Sequence, residues 1–198
     1  MLDHVPEVLR PRTPWAPVGI GALATLFVAL SLWCAVDAAV WVIVAAGVLI
    51  AWAVWIDLES FRLPDALTFP LFGVAMASAA LEGQGAFVAA VFGAVLGYCA
   101  MRLAGLYMDW RLKTSFMMFG DAKFMAGLGG LAGWENLAPL LLIASVSGLA
   151  EGAIRLALGR ARTESAIVPF GPHLAIGFTC VWLLGPDVLL SVWPITAR

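Results

Sequence analysis

Two aspartates lie where long apolar runs meet polar links. Asp57 ends an apolar run in the stretch WIDLESFRLPD, and Asp121 begins another in FGDAKFMAGLGG. A carboxylate at the bilayer centre costs about 2.5–3.5 kcal/mol and usually faces a protein interior or an aqueous cavity. If the two acids share a site, like-charge repulsion keeps one protonated while the other is ionised. Such a pair takes a proton from water and gives one to a carbonyl, which is the chemistry of amide hydrolysis by two aspartates.

The composition sets these acids in a membrane protein. Of 198 residues, 63% are hydrophobic and only 12% are charged, far from the balance of a soluble domain. The net charge of -2 gives no support to nucleic-acid binding. Cys34, Cys99 and Cys180 stand singly in apolar stretches, so they form neither a disulfide framework nor a C-x-x-C metal site. We therefore expect the lipid bilayer as a partner, no nucleic acid, no metal and no cofactor.

Apolar runs of about 20 residues predict the membrane spans. The sequence predicts an all-α membrane protein, a polytopic bundle of about seven transmembrane helices, with a cytoplasmic tail at 1–14 and a single transmembrane domain at 15–197. The predicted spans are 15–35, 39–57, 66–82, 86–107, 116–134, 137–156 and 173–194. The predicted span 116–134 has the shortest apolar run between its polar ends. The alternative prediction is therefore six spans, with 116–134 as a re-entrant segment.

The basic residues predict the orientation. Lys and Arg are retained on the cytoplasmic side, and with these spans all but one of the 11 Lys and Arg residues fall on one side. Only Arg198 falls on the other, where the turns carry Asp37, Glu82 and Glu135 instead. This places the N-terminus, Asp57 and Asp121 at the cytoplasmic face of a cell membrane.

Three motifs, in order, resemble those of bacterial type IV prepilin leader peptidases, the GxGD class of intramembrane aspartic proteases. The first is D-x-x-x-x-x-L-P-D, matched by DLESFRLPD at 57–65. The second is G-x-G-D-x-K before a helix rich in Ala and Gly, matched at 119–123, with Met118 in place of its first glycine. The third is P-F-G-P, at 169–172.

The resemblance implies that Asp57 and Asp121 are the catalytic pair of a prepilin peptidase of the inner membrane. The implied substrate is a prepilin or pseudopilin whose hydrophobic N-terminal helix follows a short basic leader. Larger members of the family carry a domain with paired C-x-x-C motifs and N-methyltransferase activity. The chain resembles the compact, peptidase-only type found with tight-adherence (Flp) pili, so we expect no separate methyltransferase domain.

Several polar and special residues near the pair are candidates for supporting or substrate-binding roles, each with a structural alternative. Asp65, after Pro64, is placed as an N-cap. Lys123 anchors to headgroups, pairs with an acid or tunes Asp121. Glu59 is either solvated or meets the basic leader. The remaining candidates are placed for packing, helix initiation or the shape of the site entrance: Gly120, Pro169, Gly171 and Pro172.

Two other functions remain open from the residues alone. A proton- or cation-coupled transporter subunit would use the same intramembrane carboxylates, although such sites are expected near the bilayer midplane in broken helices. A structural membrane subunit would use neither acid. The motifs at one face of the membrane favour the peptidase.

Overall fold

The computed structural model describes residues 38–113, 119–158 and 168–192. Over these residues the protein is all-helical, with no strand. The predicted tail at 1–14, the predicted first span at 15–35 and Met118 lie outside the described part of the chain. The helices are α1 (Ala38–Ser60), α2 (Asp65–Glu82), α3 (Gln84–Leu112), α4 (Phe119–Ala132), a 3-10 turn (Trp134–Asn136), α5 (Leu137–Ala157) and α6 (Gly171–Val192).

These six helices correspond in order to the six predicted spans that fall in the described residues, which confirms the all-α prediction. Within the described residues, four stretches are long and apolar enough to cross a bilayer, so the protein is a multi-pass membrane protein; they are Trp41–Ser60, Asp65–Glu82, Gln84–Arg111 and Trp134–Ala157. Helix α4 has 14 residues, which gives about 21 Å against a hydrocarbon core of about 30 Å.

The interior of the bundle combines alanines with large apolar residues, while many other large apolar side chains face outward. In the described part of the chain, Phe124, Leu71 and Met125 are among the largest fully buried side chains, and the buried alanines are Ala46, Ala53, Ala75, Ala79, Ala90, Ala94, Ala122 and Ala144. In contrast, Leu81, Leu149 and Trp110 are each more than 70% exposed. Lipid is as apolar as leucine, so the close contact that small residues allow contributes to helix association in a membrane.

Helix α4 lies at the centre of this arrangement, in contact with α2, α3 and α6. Its closest neighbour is α3, where a Cβ on Gly93 or on Gly129 would collide with the carbonyl oxygen of the other residue. The glycine-rich sequence of α4 therefore allows backbone-to-backbone contact on that side. This short central helix presents Asp121 in its first turn.

Chain reversals bring the first two motifs to one end of the bundle. Helix α1 ends when Phe61 adopts a left-handed conformation, φ 52°, and its N–H bonds to the carbonyl of Asp57 at 2.9 Å. Pro64 then precedes α2 in an extended conformation, as expected of a residue that has no N–H to donate. The link 61–64 is thus short, and it leaves Asp57 in the last turn of α1.

Candidate active site

Asp57 is held by the first turn of α6. Its side chain is 4% exposed, and its Oδ2 accepts a hydrogen bond from the backbone N–H of Gly171 at 2.9 Å. The first N–H groups of a helix have no partner within it, and together they carry a partial positive charge. A carboxylate is a good acceptor for such a group. The start of α6 therefore fixes one oxygen of Asp57 and favours its negative charge.

Gly171 must be a glycine for this contact to exist. A Cβ at this position would lie 2.6 Å from Oδ2 and 3.1 Å from Cγ of Asp57. Distances under 3.0 Å are not found for real Cβ atoms, so any side chain would push the acid away.

The sequence analysis treated Pro169, Gly171 and Pro172 as a helix start or as residues that shape the site entrance. The direct contact of Gly171 with Asp57 was not predicted. In the structure Pro169 is buried and Pro172 is half-buried, on either side of this contact.

Asp121 lies at the same end of the bundle as Asp57. It is in the first turn of α4, half-buried, and follows Gly120, which packs on Leu63 of the first motif. The fold thus brings together the two acids that the sequence analysis paired, although they are far apart along the chain. Among the described residues, no side chain or backbone group hydrogen-bonds the Asp121 carboxyl.

Contacts on either side of Asp121 fix the first turn of α4 instead. The Arg102 guanidinium lies over the Phe119 ring, 3.7 Å from its centroid, a favourable cation–π geometry. Gly120 packs on Leu63, and a Cβ there would lie 2.9 Å from the Leu63 Cβ. The absence of a side chain at Gly120 therefore lets the second motif touch the first.

Asp65 and Lys123 form a second link between the two motifs. Lys123 Nζ lies 2.6 Å from Asp65 Oδ1, and the two side chains are 32% and 57% exposed. The N-cap prediction for Asp65 is wrong: Pro64 is the N-cap, and Asp65 is the first residue of α2 with its carboxylate on Lys123 rather than on backbone N–H groups. For Lys123 the alternative of pairing with an acid is the one observed.

Glu59 lies on the last turn of α1, half-buried, two residues after Asp57. Across the described residues, no group of three or more His, Cys, Asp or Glu side chains is arranged to hold a metal ion.

A polar cluster between α5 and α6, centred on His173, was not predicted by the sequence analysis. The His173 ring is 4% exposed. Its Nδ1 lies 3.0 Å from Ser147 Oγ and its Nε2 3.0 Å from Glu151 Oε2. Glu151 in turn accepts a hydrogen bond from Arg155 Nε at 2.8 Å. The i, i+4 spacing of Ser147, Glu151 and Arg155 predicts one polar helix face. This spacing does not identify His173 of α6 as the partner of that face.

Comparison with known proteins identifies the family of the chain. The type IV leader peptidase family (Peptidase_A24) matches residues 43–152, a segment that contains both aspartates. The chain belongs to this family.

The matching relatives come from several bacteria. The chain is 36% identical over 157 residues to a prepilin leader peptidase/N-methyltransferase of Aeromonas hydrophila, a match covering 76% of this chain and 52% of that protein. For proteins of the same description from Burkholderia pseudomallei and Pseudomonas aeruginosa the identity is 34% over 135 residues, covering 43% and 46% of those proteins. The chain thus spans about half the length of the curated relatives it matches. No solved structure matches it significantly.

Proposed function

We propose that this protein is a membrane-embedded aspartic endopeptidase that removes the leader peptide from type IV prepilins or pseudopilins. The observation that carries the proposal is the packing of the second motif on the first, Gly120 against Leu63 and Lys123 against Asp65, which sets Asp57 and Asp121 at one end of the bundle. Relatives named prepilin leader peptidase/N-methyltransferase support the substrate class.

The different surroundings of the two acids support different roles in the reaction. Asp57, which accepts the Gly171 N–H, is the ionised partner, and like-charge repulsion keeps the proton on Asp121. Asp57 takes a proton from water as the water oxygen bonds to the scissile carbonyl carbon, and Asp121 gives its proton to the carbonyl oxygen. When the C–N bond breaks, the proton on Asp57 goes to the leaving nitrogen and a diol proton returns to Asp121.

We place the reaction at the cytoplasmic face of the inner membrane. The end of α1, the start of α4 and the start of α6 meet at Asp57 and Asp121, and this end of the bundle also carries Arg62, Arg102, Arg111, Lys113, Lys123 and Arg155. Basic residues are retained in the cytoplasm.

A reporter that is active only in the periplasm tests this orientation. It should be silent when fused after Lys113 and active when fused after Gly83. Activity after Lys113 would invert this topology.

The proposed substrate fits the depth of Asp57 and Asp121 in the membrane. A prepilin with a polar leader before an apolar helix has its scissile bond where the helix leaves the membrane, at the level of the two acids. A transport site would be expected near the midplane in broken helices, whereas both acids here lie at helix ends.

The direct test is co-expression of the full chain with a candidate prepilin, with leader removal read by gel shift and by mass of the product. Asp57→Asn and Asp121→Asn should each lower cleavage by at least about 10²- to 10⁴-fold, because an amide neither takes nor gives the required proton. Glu82→Gln is the matched control, since this carboxylate is exposed at the opposite end of α2. Normal processing by either Asp variant, at normal protein levels, would refute the proposal.

A further inference from the structure

The start of α6 is tied to α5 as well as to Asp57. His173 lies two residues after Gly171, and its ring is held against Ser147 and Glu151 of α5. The Phe170 ring packs beside it, with ring centroids 6.2 Å apart. One turn of helix therefore contacts α5 through His173 and α1 through Gly171. A buried polar ring needs partners for its nitrogen atoms; here Ser147 of α5 lies at hydrogen-bonding distance from Nδ1, and Glu151 of α5 faces Nε2 at an ion-pair distance.

The hydrogen bonds of Ser147 define how the ring is held. Ser147 Oγ donates its proton to the carbonyl of Ala144 at 2.9 Å, so towards Nδ1 it acts as an acceptor and Nδ1 carries a hydrogen. Nε2 faces the Glu151 carboxylate at 3.0 Å, an ion-pair distance, without forming a hydrogen bond to it. Arg155 fixes the Glu151 carboxylate from the other side.

This set is not arranged as a serine nucleophile with its base. The Ser147 proton points to a main-chain carbonyl, and the acid and the serine lie one turn apart on the same helix. A nucleophile needs its proton directed to the histidine, with the acid holding the ring from the opposite nitrogen. The contacts therefore serve to hold the ring, not to activate the serine.

We propose that His173 is a positioning residue for Asp57: the link from Ser147 and Glu151 to His173 fixes the first turn of α6 and keeps the Gly171 N–H on Asp57 Oδ2. The effect on cleavage rests on the proposed function, while the effect on Asp57 itself does not. The neighbouring Gly148 has room, since a Cβ there would lie 3.5 Å from the His173 ring, so the ring is fixed by its polar contacts rather than by crowding from this position.

The kinetic test compares His173→Phe, which keeps a ring and removes both polar contacts, with the native enzyme in detergent. Misplacement of Asp57 should lower kcat by about 10- to 100-fold while KM changes little, because the His173 ring is buried and not accessible to a substrate. Thr179→Val is the matched control: it removes a hydrogen bond to Ala175 within the same helix, outside the cluster. Values are taken per folded molecule, so that a loss of folding alone is not counted. An unchanged kcat for His173→Phe would overturn the proposal.

Two further measurements separate positioning from general stability. Glu151→Leu and His173→Phe act on one link, so the double variant should lose no more activity than the more damaging single one. Likewise His173→Phe should add nothing to Gly171→Ala, since both remove the same hydrogen bond to Asp57. Additive losses in either cycle would overturn the proposal.

A measurement without substrate keeps the inference distinct from the peptidase assignment. Dicyclohexylcarbodiimide modifies accessible carboxyl groups, and mass spectrometry reads the modification at Asp57 and Asp121 separately. Loss of the Gly171 hydrogen bond in His173→Phe should raise Asp57 modification by about 2- to 10-fold, with Thr179→Val unchanged. If the native chain cleaves no prepilin, but Asp57 modification still rises in His173→Phe, the peptidase assignment is refuted and the positioning role is supported. No change at Asp57 would refute the positioning role.

Discussion

The two aspartates are fixed in opposite ways. At Asp57 the side chain itself is held, since Gly171 donates to its Oδ2 and the group is almost fully buried. At Asp121 the backbone is held, through Gly120 on Leu63 and Lys123 on Asp65, while none of the described residues bonds the carboxyl. A pair that shares one proton benefits from such asymmetry. In the proposed mechanism, the acid with a fixed N–H donor is stabilised as the anion, and the other carries and transfers the proton.

Among the variants that change how the two acids are held, the largest effect should come from Gly171→Ala. The new Cβ would lie 2.6 Å from Asp57 Oδ2, so either the acid or the start of α6 must move, and cleavage should fall by about 100-fold or more. Gly47→Ala on α1 is the control, because nothing lies within 4 Å of a Cβ there. Near-normal kcat for Gly171→Ala in a purified-enzyme assay would mean that Asp57 is not held through this contact.

The pH dependence of kcat/KM tests whether the asymmetric pair titrates as a unit. With both acids protonated no base is present, and with both ionised no proton donor is present, so the profile should be bell-shaped. Outside its limits, cleavage should fall about tenfold per pH unit on each side. Leader cleavage by purified enzyme across a buffer series measures it, with protein integrity checked at each pH. A profile with only one limb would contradict the shared-proton mechanism.

Gly120→Ala should have a smaller effect than Gly171→Ala. The added Cβ meets Leu63, at 2.9 Å from its Cβ and 3.3 Å from its backbone N, and does not meet an acid. Overpacking of this kind costs about 1–3 kcal/mol, and a shift of the first turn of α4 should lower kcat by about 10-fold. Measuring the kinetics of Gly120→Ala and Gly171→Ala in parallel compares the restraint on the Asp121 backbone with the restraint on the Asp57 side chain. A greater loss for Gly120→Ala would make the backbone at Asp121 the more critical restraint.

The smallest effect should come from the pair of Asp65 and Lys123. Both side chains are partly exposed, 57% and 32%, and exposed ion pairs contribute about 0–1 kcal/mol. Asp65→Asn, Lys123→Met and the double variant should each retain cleavage within about fivefold of the native rate. A gel-shift time course measures this. Inactivity of Asp65→Asn alone would move the first catalytic acid from Asp57 to Asp65.

Local sequence predicted where each acid stands on its helix. The end of the apolar run at Asp57, and the Gly120–Asp121 step before an apolar helix, set helix boundaries through hydropathy and a few neighbouring residues, and the structure has both acids in terminal turns. Local reasoning failed at Asp65. A carboxylate beside a helix start is a plausible cap, but Lys123, 58 residues away, takes it instead.

The sequence by itself determined the membrane character, the order of the helices and the two candidate acids, because these follow from apolar run lengths and from short motifs. Only the tertiary structure decided what holds the acids. The Gly171 donor is 114 residues from Asp57, and His173 meets Glu151 across two helices. Such contacts depend on which helices lie side by side, and on how closely Gly93 and Gly129 let α3 and α4 approach. That packing is set by the whole bundle rather than by any one segment, so hydropathy and motif spacing do not encode it.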